Sequence, residues 1–214
     1  MLDRARKAVT GRIQRYSPHR VRLRRRVRRA LHGRTSSILS SNCVGGRISE
    51  LAGDEYLSPT VGLLFEPASF VEFVSDLDRY LHEEIVEDPV ESRRLGFPVG
   101  RMGDVTIKFM HYASFAEAVA TWRRRADRVR LDDVALVYID GGDEAANARF
   151  ADLPTDRKVM ITSRMDRPES YAVVVEAAPT ANGIGDLYTD WERLEPLFTA
   201  ERLAMFRSGD PAIP

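Results

Sequence analysis

Cysteine, histidine and long apolar runs are all scarce in this sequence. Its 214 residues include one cysteine, Cys43, and four histidines that lie far apart. One cysteine excludes an intrachain disulfide and suits a reducing compartment, and so few scattered ligands argue against a zinc site. No apolar run approaches the roughly 20 residues that span a bilayer, and none follows the basic N-terminus as in a secretory leader. We therefore expect a cytoplasmic protein without a metal, and the sequence identifies no cofactor.

Lysine is also rare, with three residues, so the basic charge comes almost wholly from arginine. The net charge of zero hides an uneven distribution. Residues 1–34 contain 13 lysines and arginines and a single acid, Asp3, which gives this segment a charge of +12. The remaining 180 residues carry 19 basic and 31 acidic side chains, a charge of −12. This asymmetry predicts a basic extension with an anionic partner.

The basic segment has the pattern of an amphipathic helix. After Pro18, arginines fill most positions between apolar residues at helical spacing, which are Leu23, Val27, Ala30 and Leu31. A basic amphipathic helix suits an anionic membrane surface. We expect residues 1–34 to lie outside the folded domain and to dock on the inner membrane face or on a membrane synthase. The alternative is packing on the acidic body of the same chain, and the lack of interleaved aromatic residues argues against nucleic acid.

Residues 35–208 alternate between short apolar runs and helical patterns, which is typical of a single α/β domain. The expected strands are Ser37–Ser41, Val61–Phe65, Val105–Met110, Val134–Ile139, Val159–Thr162 and Ala172–Val175. The expected helix starts are Pro67, Ser114, Asp143, Asp190 and Thr199. A turn at Val99–Gly103 predicts a hairpin, so the sheet should be mostly parallel but mixed. The prediction is a layered α/β/α fold with a basic N-terminal helical extension and a frayed tail at 209–214.

Cys43 is the first candidate for chemistry. It follows a predicted strand and precedes a helical pattern at Arg47–Leu51, where the helix dipole would favour a thiolate. His111 lies in another strand-end loop, and Asp104 or Asp140 could orient it. This set predicts a cysteine-dependent acyltransferase or hydrolase. The alternative is that Cys43 is a small buried residue and His111 an ordinary hydrogen-bonding one.

The two glycines after Cys43 support a different interpretation. Gly45 and Gly46 would bring backbone N–H groups close to a phosphate or a sugar-nucleotide diphosphate at the start of the helix. Neither the dinucleotide-binding fingerprint nor the phosphate-binding loop pattern is present. The substrate-binding residues predicted around this loop are Asn42, Gly45, Gly46, Ser58 and Thr60.

Two further clusters could serve the same site. Asp140 and Asp143 flank a glycine pair after the strongest predicted strand. Their carboxylates could hold a cation, but a turn residue and a helix cap explain them better. Trp122, Arg125 and Arg128 fall on one side of a predicted helix and form a fork for phosphate or carboxylate. The alternative for this fork is a solvated charged face.

Taken in order along the chain, these motifs resemble one family. The motifs are Ser41-Asn42-Cys43-x-Gly45-Gly46, Ser58-Pro59-Thr60-x-Gly62, Pro98-Val99-Gly100, Gly103-Asp104, His111-Tyr112-x-Ser114 and Trp122-x-Arg124-Arg125-x-x-Arg128. Over residues 37–163 they are similar to the domain-of-unknown-function family nineteen-nineteen, often labelled exopolysaccharide biosynthesis protein. The resemblance implies an α/β fold and a bacterial, cell-surface polysaccharide setting, with no reaction defined.

Three functions remain open. The first is a transferase of surface polysaccharide assembly that uses an anionic or nucleotide-activated sugar donor, with Arg125 and Arg128 at the donor. The second is an acyltransferase or hydrolase that depends on Cys43 and His111 and acts on polysaccharide substituents. The third is a non-catalytic accessory protein that docks on a membrane polysaccharide synthase through residues 1–34.

Overall fold

The computed structural model describes residues 18–167, 170–175 and 191–209, which form two four-stranded sheets and the helices around them. The strands are β1 (Ser37–Ser40), β2 (Leu64–Phe65), β3 (Val86–Glu87), β4 (Val99–Met102), β5 (Val105–Lys108), β6 (Val134–Ile139), β7 (Lys158–Thr162) and β8 (Ala172–Val174). The α-helices are α1 (Pro18–Leu31), α2 (Val44–Ala52), α3 (Pro67–Ser75), α4 (Leu77–His82), α5 (Pro89–Leu95), α6 (Phe115–Ala126), α7 (Glu144–Ala151) and α8 (Ala200–Met205). A 3-10 helix spans Trp191–Phe198.

The central sheet has the order β1-β6-β7-β8 and is parallel throughout. β6 lies inside it because its apolar residues are buried on both faces. The predicted hairpin forms, since β4 and β5 pair antiparallel. However, it belongs to a second sheet of order β2-β5-β4-β3. The layered, mostly parallel α/β fold is thus confirmed, but the antiparallel strands form a sheet of their own, whose Val105 and Ile107 pack into the core on one face of the central sheet.

Alternate side chains of the central sheet point into two separate cores. On one face, Ile38, Val137 and Ile161 pack with α1, α2, the 3-10 helix and α8. On the other face, Tyr138 and Met160 pack with α3, α6, α7 and the antiparallel sheet. The central sheet is therefore the middle layer of three.

Most predicted helix starts are correct because they depend on local chemistry. The side chains of Ser114, Asp143 and Thr199 each accept the backbone N–H three residues further on, at 3.0–3.3 Å. Pro67 occupies the first turn of α3. The start predicted at Asp190 and the tail beyond residue 209 lie outside the described residues.

Two predicted strands are shorter than expected. The run Val61–Phe65 is extended only at Leu64–Phe65, because Gly62 has a φ of 82° and bends the chain. The run Val105–Met110 ends at Lys108. Both shortened ends therefore become loops at the same end of the β2–β5 pair.

The helical part of the basic segment belongs to the core. Leu23, Val27 and Leu31 are 3%, 0% and 0% exposed and pack against α2, the 3-10 helix and α8. The boundary expected at residue 35 therefore does not divide α1 from the packed body, and the intramolecular alternative describes its apolar face. Amphipathic spacing predicts that one face of a helix is buried against apolar surface, but it does not identify that surface. Over the described ranges, no helix has the length and apolar character needed to cross a bilayer.

Candidate functional site

The candidate site lies at the carboxyl edge of the parallel sheet. The chain leaves β1 into α2 on one face of the sheet and leaves β6 into α7 on the opposite face. Because β1 and β6 are neighbours, their outgoing connections diverge, and we call the sheet edge between them the crevice. Open α/β sheets bind ligands at such a switch point. Residues 41–43 follow β1 and residues 140–143 follow β6. The segment from β2 to the start of α3 lies against both, because Phe65 N–H donates to the Ser41 carbonyl at 2.8 Å and a Cβ on Gly141 would lie 2.6 Å from Pro67.

Asn42 shapes the α2 side of this crevice. Its Oδ1 accepts the backbone N–H of Val44, the first residue of α2, at 2.9 Å in an Asx turn that precedes the helix. The hydroxyl of Ser40 donates to the same oxygen at 3.4 Å. The remaining N–H groups of a first turn have no intrahelical acceptor, and the helix dipole adds partial positive charge there. The start of α2 is therefore an electropositive border.

Gly45 and Gly46 do not form the loop predicted from the sequence. Both lie inside α2 and are buried. A Cβ on Gly45 would lie 2.7 Å from the Cβ of Ser40, and one on Gly46 would lie 2.8 Å from a methyl group of Val61. The glycines therefore allow α2 to pack closely against β1 and the loop of residues 54–63. A glycine pair is compatible with a turn and with close helix packing alike, so the sequence could not separate the two.

Cys43 lies at the N-cap of α2 with its side chain half-buried. Its Sγ is 3.9 Å from the carbonyl oxygen of Leu63. Burial raises the pKa of the Cys43 thiol, and a hydrogen bond from the Gly62 backbone and the Arg47 charge offset this only in part. The thiol is therefore protonated at neutral pH, which is the opposite of an activated nucleophile.

His111 and Asp104 lie at opposite ends of β5, so the predicted pairing is wrong. Asp104 precedes β5 in the hairpin turn and His111 follows it, and the four strand residues between them span about 13 Å. The backbone N–H of His111 instead donates to the carbonyl of Gly62 at 3.3 Å. His111 and Cys43 thus both border the backbone at residues 62–63, although they come from different sheets.

The loop of residues 54–63 is tied to β1 by two buried hydroxyls. The hydroxyls of Ser58 and Thr60 are 2.9 Å apart, and Thr60 Oγ1 accepts the backbone N–H of Ser40 at 3.0 Å. The two residues are 3% and 1% exposed. The two residues therefore position this loop beside the crevice. The substrate-binding role predicted for them from the sequence does not fit, because their hydroxyls are buried.

Arg125 in α6 and Arg128 in the turn after α6 hold the same loop. Arg125 donates to the carbonyl of Val61 at 3.0 Å and to the hydroxyl of Tyr112 at 2.9 Å. Its guanidinium also lies over the ring of Tyr56, 5.1 Å from the centroid. Arg128 forms an ion pair with Glu55 at 2.7 Å. The predicted fork is thus engaged by the protein itself.

Trp122 is a core residue and not a substrate contact. Its side chain is 2% exposed and packs against Phe65 and Phe73, with ring centroids 6.5 and 5.6 Å away. Trp122 lies in a helix with Arg125, as predicted, but its indole points into the core and not toward solvent. An aromatic residue on an amphipathic helix more often packs in a core, and only the tertiary structure shows which face is covered.

Asp140 forms a buried network that the sequence did not reveal. Its carboxylate accepts hydrogen bonds from Gly142 N at 2.9 Å, Asn147 Nδ2 at 2.9 Å and Thr162 Oγ1 at 2.8 Å, and Arg167 Nε lies 3.5 Å away. Burial alone would raise the pKa of Asp140, but these hydrogen bonds and the Arg167 charge outweigh it and leave the pKa below its ordinary value. The ends of β6, β7 and α7 are thereby joined at the crevice.

The favoured interpretation of the 140–143 loop agrees with this geometry. Asp140 is a turn residue and Asp143 a helix cap, since Asp143 accepts the N–H of Ala146 at 3.0 Å. Within the described ranges, no three histidine, cysteine or acidic side chains converge as ligands for a metal ion. In the sequence, Thr162 could have been identified as a site residue from its position at the end of a predicted strand. No sequence pattern pointed to Asn147 or Arg167.

The fold defines an α/β protein whose candidate site lies at the carboxyl edge of its parallel sheet. Comparison with known proteins assigns the family: the sequence profile of the Domain of unknown function (DUF1919) family matches residues 15–194, so the chain belongs to it. The match extends beyond the 37–163 range that carries the motifs and includes α1. A protein of Haemophilus influenzae described as an uncharacterized protein is 29% identical over 168 residues, which cover 78% of this chain and 80% of that protein.

Proposed function

We propose that this protein is a transferase of cell-surface polysaccharide biosynthesis that binds an anionic or nucleotide-activated sugar donor in the crevice between β1 and β6. One observation supports this site above the others: neighbouring parallel strands send their helices to opposite faces, and the start of α2 borders the gap. Phosphate groups favour helix starts at such switch points. The polysaccharide setting follows from the motifs that resemble the family, and no cofactor is assigned.

The geometry changes the roles first expected of the residues. Asn42 and the first turn of α2 face the donor's phosphate groups, because they form the electropositive border of the crevice. Arg125 and Arg128 do not contact the donor, because they hold the 54–63 loop beside that border. Asp140 keeps the opposite border in place through its hydrogen bonds.

The two rival functions are weaker on different grounds. A Cys43-dependent acyltransferase requires a thiolate, whereas burial raises the pKa of this thiol. The accessory role needs no ligand in the crevice, so it is separated from the transferase by a binding experiment. Peripheral association with the inner membrane face, through the basic segment, fits the transferase and the accessory role equally.

The test is calorimetric titration with UDP, GDP, dTDP and their sugar conjugates, using wild type and Asn42→Asp. Aspartate forms an Asx turn as well as asparagine, so the variant should fold normally. Its negative charge at the helix start should weaken binding of a phosphate-bearing donor at least about tenfold, a cost near 1.4 kcal/mol. Ala120→Glu adds the same charge at an exposed position of α6 and should bind like wild type.

Two results would count against the proposal. If wild type binds no member of the panel, the crevice does not take a nucleotide donor and the accessory role is favoured. If Asn42→Asp binds as tightly as Ala120→Glu, the donor binds elsewhere on the protein.

A further inference from the structure

α1 presents a continuous stripe of arginines on the side opposite its buried residues. At 100° per residue, Arg22, Arg25 and Arg29 point directly away from the core, and all three are exposed. Arg26 lies beside them, and the four line a shallow groove of about 570 Å³ along the helix with Ala30. This outward side contains no apolar side chain between the first and last of these arginines.

No carboxylate in the part of the chain that the structure describes neutralises the stripe. Within the described ranges, Arg22, Arg25 and Arg29 form no ion pair with a carboxylate, and α1 itself has no acidic residue. By contrast, exposed arginines elsewhere, such as Arg94 and Arg101, are paired with Glu91 and Asp88. Like charges three and four residues apart repel each other along a helix, so an external anion would relieve that repulsion.

The stripe also has a defined direction relative to the crevice. α1 and α2 pack side by side in one core, and both end together, because the side chains of Arg28 and His32 lie within 3.7 Å of a Cβ placed on Gly53. α2 starts at the carboxyl edge of β1, so α1, which is longer, also runs from that edge. The Arg22 end of the stripe is therefore the end toward the crevice.

Resting on the proposed function, we infer that the Arg22–Arg25–Arg29 stripe adsorbs the protein onto an anionic lipid bilayer by charge alone, without insertion of apolar side chains. Insertion is excluded for α1 because its apolar side is already used in the core. Lipid is favoured over nucleic acid because no aromatic side chain of α1 is available to stack on a base. Adsorption along this stripe would hold the crevice near lipid-linked acceptors.

The test is co-sedimentation of the full chain with phosphatidylcholine vesicles that contain or lack phosphatidylserine. Wild type should bind only the anionic vesicles and should be released by salt. The variant Arg22→Gln/Arg25→Gln/Arg29→Gln should bind on the order of 100-fold more weakly, since each basic residue contributes about fivefold. The matched control Arg93→Gln/Arg123→Gln/Arg124→Gln removes the same charge from exposed positions outside α1 and should bind like wild type.

Several results would overturn this inference. They are equal binding of the stripe variant and wild type, binding to vesicles without phosphatidylserine, resistance to salt, and tighter binding of duplex DNA than of vesicles. Nucleotide titration of the stripe variant keeps the two proposals apart. If it binds a donor like wild type but wild type ignores vesicles, only the membrane inference fails, whereas vesicle binding without any donor binding defeats only the transferase.

Discussion

Removing the Asp140 carboxylate should destabilise the protein strongly. The carboxylate accepts three hydrogen bonds at 2.8–2.9 Å, and two of the donors, on Asn147 and Thr162, belong to residues that are 3% and 0% exposed. Asp140→Ala would leave these donors without a partner, while Arg167 would keep its ion pair with Glu144 at 2.8 Å. Each unsatisfied buried group costs about 1–3 kcal/mol, so we expect a loss of roughly 3–5 kcal/mol in the free energy of unfolding.

The isosteric change Asp140→Asn separates charge from hydrogen bonding. The amide can keep all three contacts if the Thr162 hydroxyl rotates to accept, so the loss should fall to about 1–2 kcal/mol, the charged part of these bonds. Asp143→Asn is the matched control, because asparagine caps α7 as well as aspartate does, and it should change stability by less than about 0.5 kcal/mol. Urea denaturation followed by circular dichroism measures all three variants.

Comparing wild type with Asp140→Asn at different pH values also tests the direction of the Asp140 pKa shift. The folded-state pKa of Asp140 is below its ordinary value of about 3.9, so the ionised form stabilises the fold. This stabilisation is complete above about pH 5 and is lost as the pH falls through the lower folded-state pKa. The difference between wild type and Asp140→Asn should therefore shrink in acid. A difference that stays constant into acid, or an Asp140→Ala cost below about 1 kcal/mol, would refute the reasoning.

Two further predictions concern the start of α2. Because burial raises the pKa of Cys43, its alkylation at pH 7 should be slower than that of a free thiol and should accelerate only above the ordinary thiol pKa. Rapid, pH-independent alkylation near neutrality would show an activated thiolate instead. Gly45→Ala should lower the free energy of unfolding by about 1 kcal/mol, since overpacking against Ser40 costs about 1–3 kcal/mol and the helix preference of alanine returns about 1. Stabilisation of this variant in urea would mean that α2 does not press on β1.

The candidate site was only partly predictable. The sequence placed Asn42 and Cys43 correctly between β1 and α2, because a strand that stops before a helix leaves its connecting residues at a sheet edge. It could not show that Gly45 and Gly46 serve packing, or that Asp104 lies a full strand away from His111. The two errors have different causes: a glycine pair suits a ligand-binding turn and close helix packing alike, and Asp104 precedes the strand that His111 follows.

The buried partners of the site were invisible for a related reason. Parallel pairing of β6 with β7 brings Thr162 to the Asp140 carboxylate, and the fold of α7 back onto β6 brings Asn147 to it. Arg125 likewise looks like a ligand-binding residue until the fold places the Val61 carbonyl within 3.0 Å of it. Long-range pairing of this kind has no local pattern.

The sequence by itself determined the features that depend on neighbouring residues. Capping side chains set the starts of α6 and α7, apolar runs specified β6, and the arginine content of residues 18–31 made one side of a helix basic. Only the tertiary structure decided which surface each face met. Burial is a property of the whole packed chain, so it alone placed the apolar side of α1 in the core, Trp122 away from solvent, and the hairpin in a sheet of its own.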